Sequence, residues 1–267
     1  MKFTLCLLVL IFIYVNFKNK EHFNQQIKEK KYIILYTIRK SGTHLLSDII
    51  SLMINPKVNI YDKSEMYSII PHRPIRNNKF INKKHHKIFN QHINDLNLEY
   101  KNISKLILTI RNPIDLCISR FYYNEKRNPN SNISIYDYIK KNLNNLIKEC
   151  LEQINLSRNH NDNILIRFED IVMKKKDTTL EVYNFIKDFL NLGKIDLEMI
   201  LNKTSFDKVQ KEENKNGYKV GKKQPFLFHR KGGIGQWNEE LKQEEFDEIL
   251  KLIPQKIKYF YSDILKN

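Results

Sequence analysis

Three short segments carry the residues that could grip and transfer an anionic group. The first is Arg39-Lys40-Ser41-Gly42-Thr43-His44, set between an apolar run and a stretch with helical spacing. Such a turn offers backbone N–H groups and a helix amino terminus to an anion, and Lys40 adds a point charge beside the hydroxyls of Ser41 and Thr43. It is not the phosphate loop GxxxxGK[ST], because the lysine precedes the glycine. The second is Arg111-Asn112-Pro113, continuing through Asp115, Ser119, Arg120 and Phe121. Polar groups again follow an apolar run, and Ser119 comes about two helical turns after Arg111, so both can face one phosphate. The third is Phe228–Trp237, which holds three of the seven Gly, one of the nine Arg and the single Trp. Its glycines let backbone wrap a ligand closely, and Arg230 and Lys231 supply charge-assisted hydrogen bonds to phosphate.

A scaffold must bring these segments together. Tyr32–Ile38 is a continuous apolar run of the kind buried on both faces of a sheet. Lys105–Ile110 and Asn163–Phe168 repeat that pattern, and Lys87–Gln91 is a shorter version of it. Helical spacing covers Thr43–Ile54, about Pro113–Asn124, Ile135–Leu156, Thr178–Leu190 and the tail from Glu239. Strands alternating with helices predict an α/β domain, a three-layer P-loop-like fold with a central parallel sheet flanked by helices. That domain runs from residue 31 to 267, after a polar linker over 19–30. Gln210–Pro225 is rich in Lys, Asn and Gly and reads as a loop.

The net charge of +16 narrows the function less than it first suggests. Of 46 basic residues 37 are Lys, the chain holds 31 Asn and no Ala, and codons rich in A and T impose that skew. Much of the charge is therefore Lys on solvated faces, and a basic binder of anions or membrane surfaces has no motif behind it. Nucleic acid is not among the expected partners. Three cysteines exclude a disulfide scaffold or a zinc cluster, and no metal is expected.

In sequence order, strand–RKSGT–helix, RNPxDxxxSxxxF and RKGxxGxW resemble the sulfotransferases that use 3′-phosphoadenosine-5′-phosphosulfate (PAPS), whose cytosolic-type motifs read YPKSGTTW, RNPKDxxxSxxxF and RKGxxGDW. Arg167-Phe168-Glu169-Asp170 resembles the family's YED, and Thr204-Ser205-Phe206 its TSF. The resemblance implies sulfuryl transfer from PAPS, without a metal, to an acceptor hydroxyl on a carbohydrate, lipid or small molecule. It implies that the turn from Arg39 to His44 cradles the 5′-phosphosulfate, that Arg111, Ser119, Arg230, Lys231 and Gly232 hold the 3′-phosphate, and that Phe168 and Phe206 pack at the adenine. The family's catalytic base is a His in a K-T-H-L-P context, for which His92 fits best. Lys40 and Ser119 are its catalytic partners by the same resemblance.

Departures are also visible. His44-Leu45 stands where the family has Thr-Trp, Phe168 replaces a Tyr, Gln236 replaces an Asp, and the family's dimerisation element after Trp237 is missing. Two other readings remain open at this point: a kinase-like or catalytically degenerate nucleotide binder, and a basic anion or membrane-surface binder.

Phe3 to Phe17 is apolar apart from Thr4 and Asn16. It is shorter than the roughly 20 residues that span a bilayer, and Val15-Asn16-Phe17 is a poor cleavage site. Residues 1–18 therefore read as a signal anchor or signal peptide, and the expected location is membrane-anchored and single-pass. The lysines after the run put the domain in the cytoplasm, whereas sequons at Asn102, Asn132, Asn155 and Asn202 suit a lumenal one.

Overall fold

Apolar runs without alternation have to lie inside a sheet covered on both sides, and this is where the structure puts them. The structure, a computed structural model, describes residues 32–72, 75–76, 79–80, 87–92, 104–125, 132–216 and 231–265. The apolar segment 3–17, the linker and Arg230 lie outside the described residues.

Strand β1 (Tyr32–Thr37) leads through a turn to helix α1 (Thr43–Ile54), and α2 (Lys63–Ile69) follows. A two-residue antiparallel pair, β2 (Ile75–Arg76) and β3 (Lys79–Phe80), stands apart from the main sheet. Next come β4 (Ile88–His92), β5 (Ser104–Ile110), α3 (Pro113–Glu125), α4 (Ile135–Asn159), β6 (Asn163–Arg167) and α5 (Phe168–Met173). The remainder is helical: α6 (Lys175–Leu190), α7 (Leu197–Lys203), α8 (Phe206–Asn216), α9 (Trp237–Glu240), α10 (Gln243–Leu252) and α11 (Gln255–Phe260).

The main sheet is parallel throughout, in the order β4-β1-β5-β6. β1 and β5 are its inner strands, so their longest apolar runs are buried on both faces. Ile33 and Leu35 of β1 point to one face, where they meet Leu46, Ile49 and Ile50 of α1 and Val182 and Ile186 of α6. Ile34 and Tyr36 point to the other. Beyond them Cys117 and Ile118 of α3 pack with Leu146 and Cys150 of α4 and with Trp237. The three-layer α/β architecture expected from the apolar runs is thus present.

Several elements were not anticipated, α8 and α2 among them. The last turns of α8 fall in a segment that reads as a loop. Lys, Glu and Gln are good helix formers, and Val209 and Glu213, one turn apart, give α8 a buried side without an apolar stripe. Helix α2 begins at Asp62, whose carboxylate accepts the Ser64 N–H.

Register is what matters for the site. Thr37, at the end of β1, pairs with His92 on β4 and with Thr109 on β5. His92, Thr37 and Thr109 therefore form a row across the carboxyl edge of the sheet, where open α/β sheets bind their ligands.

Candidate active site

The turn after β1 is held from below. Ser41 donates its backbone N–H to the Ile38 carbonyl at 3.1 Å, and its hydroxyl bonds the same carbonyl and Thr109 Oγ1. The Ser41 side chain is fully buried, so its hydroxyl fastens the turn to β5 and does not face solvent. Lys40 at φ 76° and Gly42 at φ 88° are both left-handed. A Cβ at Gly42 would lie 2.8 Å from Phe168 Cδ2, so glycine answers both the backbone and the space. Helix α1 then starts with no acidic residue in its first turn and no side-chain cap. Its amino-terminal amides, with Lys40 beside them, suit an anionic phosphosulfate group.

Two arginines grip this turn by its carbonyls. Arg111, 4% exposed, donates from Nη1 to the Lys40 carbonyl and from Nη2 to the Gly233 carbonyl, both at 3.2 Å. Its guanidinium lies 4.1 Å from the centre of the Phe168 ring. One side chain thus joins the first segment to the third. Arg120 donates to the Arg39 carbonyl at 3.3 Å and pairs with Glu149 at 2.6 Å.

Helix α3 presents Asp115, Ser119 and Tyr123 on one stripe, four residues apart. The buried Asp115 carboxylate accepts the N–H groups of Gly235 and Gln236 at 2.9 and 2.8 Å, which pins the late loop. Lys40 Nζ lies 4.8 Å from the centre of the Tyr123 ring. Ser119 is half-buried between these two.

The late loop meets α8 at Gly232. That residue has φ 60°, and a Cβ there would fall 2.3 Å from Phe206 Cδ2. Lys231 is exposed and forms ion pairs with Glu239 and Glu240, the second at 3.4 Å. On the expected packing of Phe206 at the adenine, replacing Gly232 by Ala weakens binding of 3′-phosphoadenosine 5′-phosphate (PAP) about tenfold, because the methyl group must displace the Phe206 ring. Isothermal titration of both proteins checks this; unchanged affinity would detach Phe206 from the nucleotide site.

His92 is 8% exposed. Its Nδ1 lies 3.3 Å from the Thr37 carbonyl oxygen and 3.1 Å from Thr37 Oγ1. A carbonyl can only accept, so Nδ1 is assigned the proton and Nε2 of the neutral ring the lone pair. Thr43 Oγ1 donates to Thr37 Oγ1 at 3.0 Å, so two hydroxyls link His92 to the turn. His44, second in α1, is half-buried and stands edge-on to His72.

A family model described as the sulfotransferase domain matches residues 30–260. The chain belongs to the sulfotransferase family. Sulfotransferase 2A2 of mouse is 28% identical over 250 residues, covering 84% of each chain. Cytosolic sulfotransferase 12 of Arabidopsis thaliana is 27% identical over 258 residues, covering 85% of this chain and 77% of its own. Among solved structures, mouse sulfotransferase SULT7A1 complexed with PAP superimposes with a TM-score of 0.60 at 19% identity, over 88% of this chain and 90% of that one. As a member of this family the protein is a PAPS-dependent sulfotransferase, with PAPS as co-substrate. Among the described residues, no cluster of His, Cys, Asp and Glu could hold a metal ion.

The expected membrane-anchored, single-pass location needs correction. No helix among the described residues is long and apolar enough to cross a membrane, and the relatives include one named as a cytosolic sulfotransferase.

Within this sulfotransferase, Arg39, Lys40, Gly42, Thr43, Arg111 and Phe168 converge around one turn, while Phe206 and Gly232 meet at a second place. Phe168 is the floor beneath Gly42 and Arg111, and is nearly buried there. Arg167 beside it faces outward to Asp170 and Asp263. The motifs gave no role to Thr37, Thr109, Arg120 or Tyr123. Only the period of four from Asp115 through Ser119 points to Tyr123.

Glu169 lies directly under the site. It accepts the Asn112 N–H at 2.8 Å, and burial pushes its carboxyl up to about 7, against the pull of that bond and of Arg111. The unfolded chain loses this proton near 4.5. The folded protein therefore holds a proton that the unfolded chain has lost across that window, and Glu169's contribution to stability declines as pH rises through it. Glu169→Gln cannot ionise. Between about pH 5 and about pH 8 the stability difference is expected to move in the variant's favour by on the order of 3 kcal/mol. Denaturant unfolding at both pH values measures it, and a pH-independent difference would contradict it.

Proposed function

We propose that this sulfotransferase uses His92 as the general base on a lipophilic acceptor alcohol, with Lys40 countering charge on the departing phosphate. The single observation that carries this reading is the row His92–Thr37 beside the Lys40 turn, linked through the Thr43 and Thr37 hydroxyls. PAPS supplies an activated sulfuryl group.

His92 Nε2 takes the proton from the acceptor hydroxyl as the oxygen–sulfur bond forms and the bond from sulfur to the phosphate oxygen breaks. A loose in-line displacement builds charge on that oxygen, and Lys40 meets it together with the amides of α1. Ser119, on the stripe between Asp115 and Tyr123, holds Lys40 back until an acceptor is bound. Arg111, with Ser119, Arg230, Lys231 and Gly232, binds the 3′-phosphate, and Lys231 exchanges its Glu239 and Glu240 partners to do so. Phe206 packs on the adenine. The acceptor class draws on the 3-beta-hydroxysteroid sulfotransferase of guinea pig, 28% identical over 81% of this chain, and on retinol dehydratase, which was solved with androsterone and PAP and shares this fold.

Transfer of labelled sulfate from PAPS to hydroxysteroid, phenol and sugar acceptors tests the reading. Turnover on the steroid above the other two is the expected result. Equal turnover on the sugar would overturn the acceptor class. No transfer at all, with ATP and Mg²⁺ bound as tightly as PAP, would overturn the activity.

A further inference from the structure

His92 is not the only imidazole at the acceptor end of the site. The His72 ring stands 5.1 Å from the His92 ring at 83°, an edge-to-face arrangement. Tyr67 of α2 meets His72 at 5.7 Å and 65°, and His44 of α1 at 6.2 Å and 81°. His72 therefore sits at the centre of rings delivered by three elements. Its backbone is anchored as well. Asn90 donates its N–H to the Pro71 carbonyl at 2.9 Å, and His72 bridges Asn90 in parallel fashion. The segment bearing His72 thus adds one rung outside β4, two residues before His92.

We propose that His72 is a positioning residue, whose ring fixes the plane of His92 so that Nε2 points at the acceptor hydroxyl. This rests on the reading of His92 as the base. The bond from Nδ1 to the Thr37 carbonyl fixes one edge of the ring. The second side-chain torsion of a His is broad, and both Thr37 contacts are made at Nδ1, so the freedom of the ring plane is limited by what packs on its face. A packed ring at right angles removes that freedom. Proton transfer needs the base within hydrogen-bond reach, and small displacements of a reacting group are costly. His72 lies one strand position further from the Lys40 turn than His92 does, which suits a supporting role over a direct one. Tyr67 and His44 face His72, while Thr37 faces His92 and donates its hydroxyl to Asn90 Oδ1.

The test compares full-length wild type, His72→Ala, His72→Phe and His92→Ala in steady-state sulfuryl transfer from PAPS. In His72→Ala, kcat is expected to fall about tenfold with KM for PAPS unchanged. His72→Phe keeps a flat ring and has no titratable nitrogen. It is expected to recover kcat to within about threefold of wild type, with the acid limb of its kcat/KM profile following a single proton. Wild-type kcat in His72→Ala overturns the proposal. So does a His72→Phe no better than His72→Ala, because the nitrogen would then be what matters. Should His72→Ala fail to fold, His72→Phe decides alone: near wild-type kcat supports positioning, and loss as deep as that of His92→Ala overturns it. Full turnover in His92→Ala would remove the base reading itself. Loss there with an unaffected His72→Ala removes only this inference.

Discussion

Lys40→Ala is expected to lower kcat by about 10²–10³ while leaving the fold intact. The magnitude follows from where the ammonium group sits. Lys40 occupies a left-handed position, its carbonyl is held by Arg111, and its Nζ rests over Tyr123. The charge is thus already carried at the turn, and once Ser119 releases it a short side-chain movement brings it to the transition state. The backbone strain is the same for any residue with a Cβ, so alanine adds little to it. The carbonyl bonded by Arg111 survives the substitution. PAP has no sulfuryl group, so its affinity should fall less than tenfold while turnover falls far more. Steady-state kinetics set beside PAP titration measures both quantities. A kcat within threefold of wild type would mean that Lys40 is not the group meeting the developing charge.

His92→Ala is expected to remove a comparable or larger part of the rate, about 10²–10⁴, the range for a positioned general base. Its Nδ1 is committed to Thr37, which orients the ring and leaves proton transfer to Nε2. The expected signature is selective: kcat drops, PAP affinity holds, and folding loses only about 1 kcal/mol from the missing buried hydrogen bond. An alanine variant that also loses PAP binding would instead point to a collapse of the row at Thr37. If the two groups serve one transition state, the double variant should lose less than the sum of their separate effects.

How much of this was legible beforehand varies by element. β1 and β5 were visible as unbroken apolar runs because inner parallel strands are buried twice, and β6, at the sheet's edge, carries a shorter run. The carboxyl ends of β1 and β5 could be marked as the site's edge for the same reason. The pairing of Thr37 with His92 could not be seen, since strand order is settled between segments more than fifty residues apart. The family resemblance nominated His92; the register now supplies its partner. Ser41 read as a phosphate-binding hydroxyl, yet the row brings Thr109 beneath it and turns it inward. Lys231 read as a phosphate-binding cation, and Glu239 and Glu240 on α9 pair with it. α8 was missed because its buried side includes Glu213, which no apolar pattern registers.

The single guanidinium that spans from the Lys40 carbonyl to the Gly233 carbonyl has a consequence for how the molecule comes into being. Those carbonyls lie almost two hundred residues apart along the chain, so the donor pocket is a long-range closure whose entropy must be met before its contacts form. Neither rim can form the pocket alone. During synthesis the chain has no complete donor pocket until the segment around Gly233 has left the ribosome, by which time all four strands of the main sheet have been synthesised. Nucleotide therefore cannot guide the early folding of this protein; it can only stabilise the nearly finished molecule.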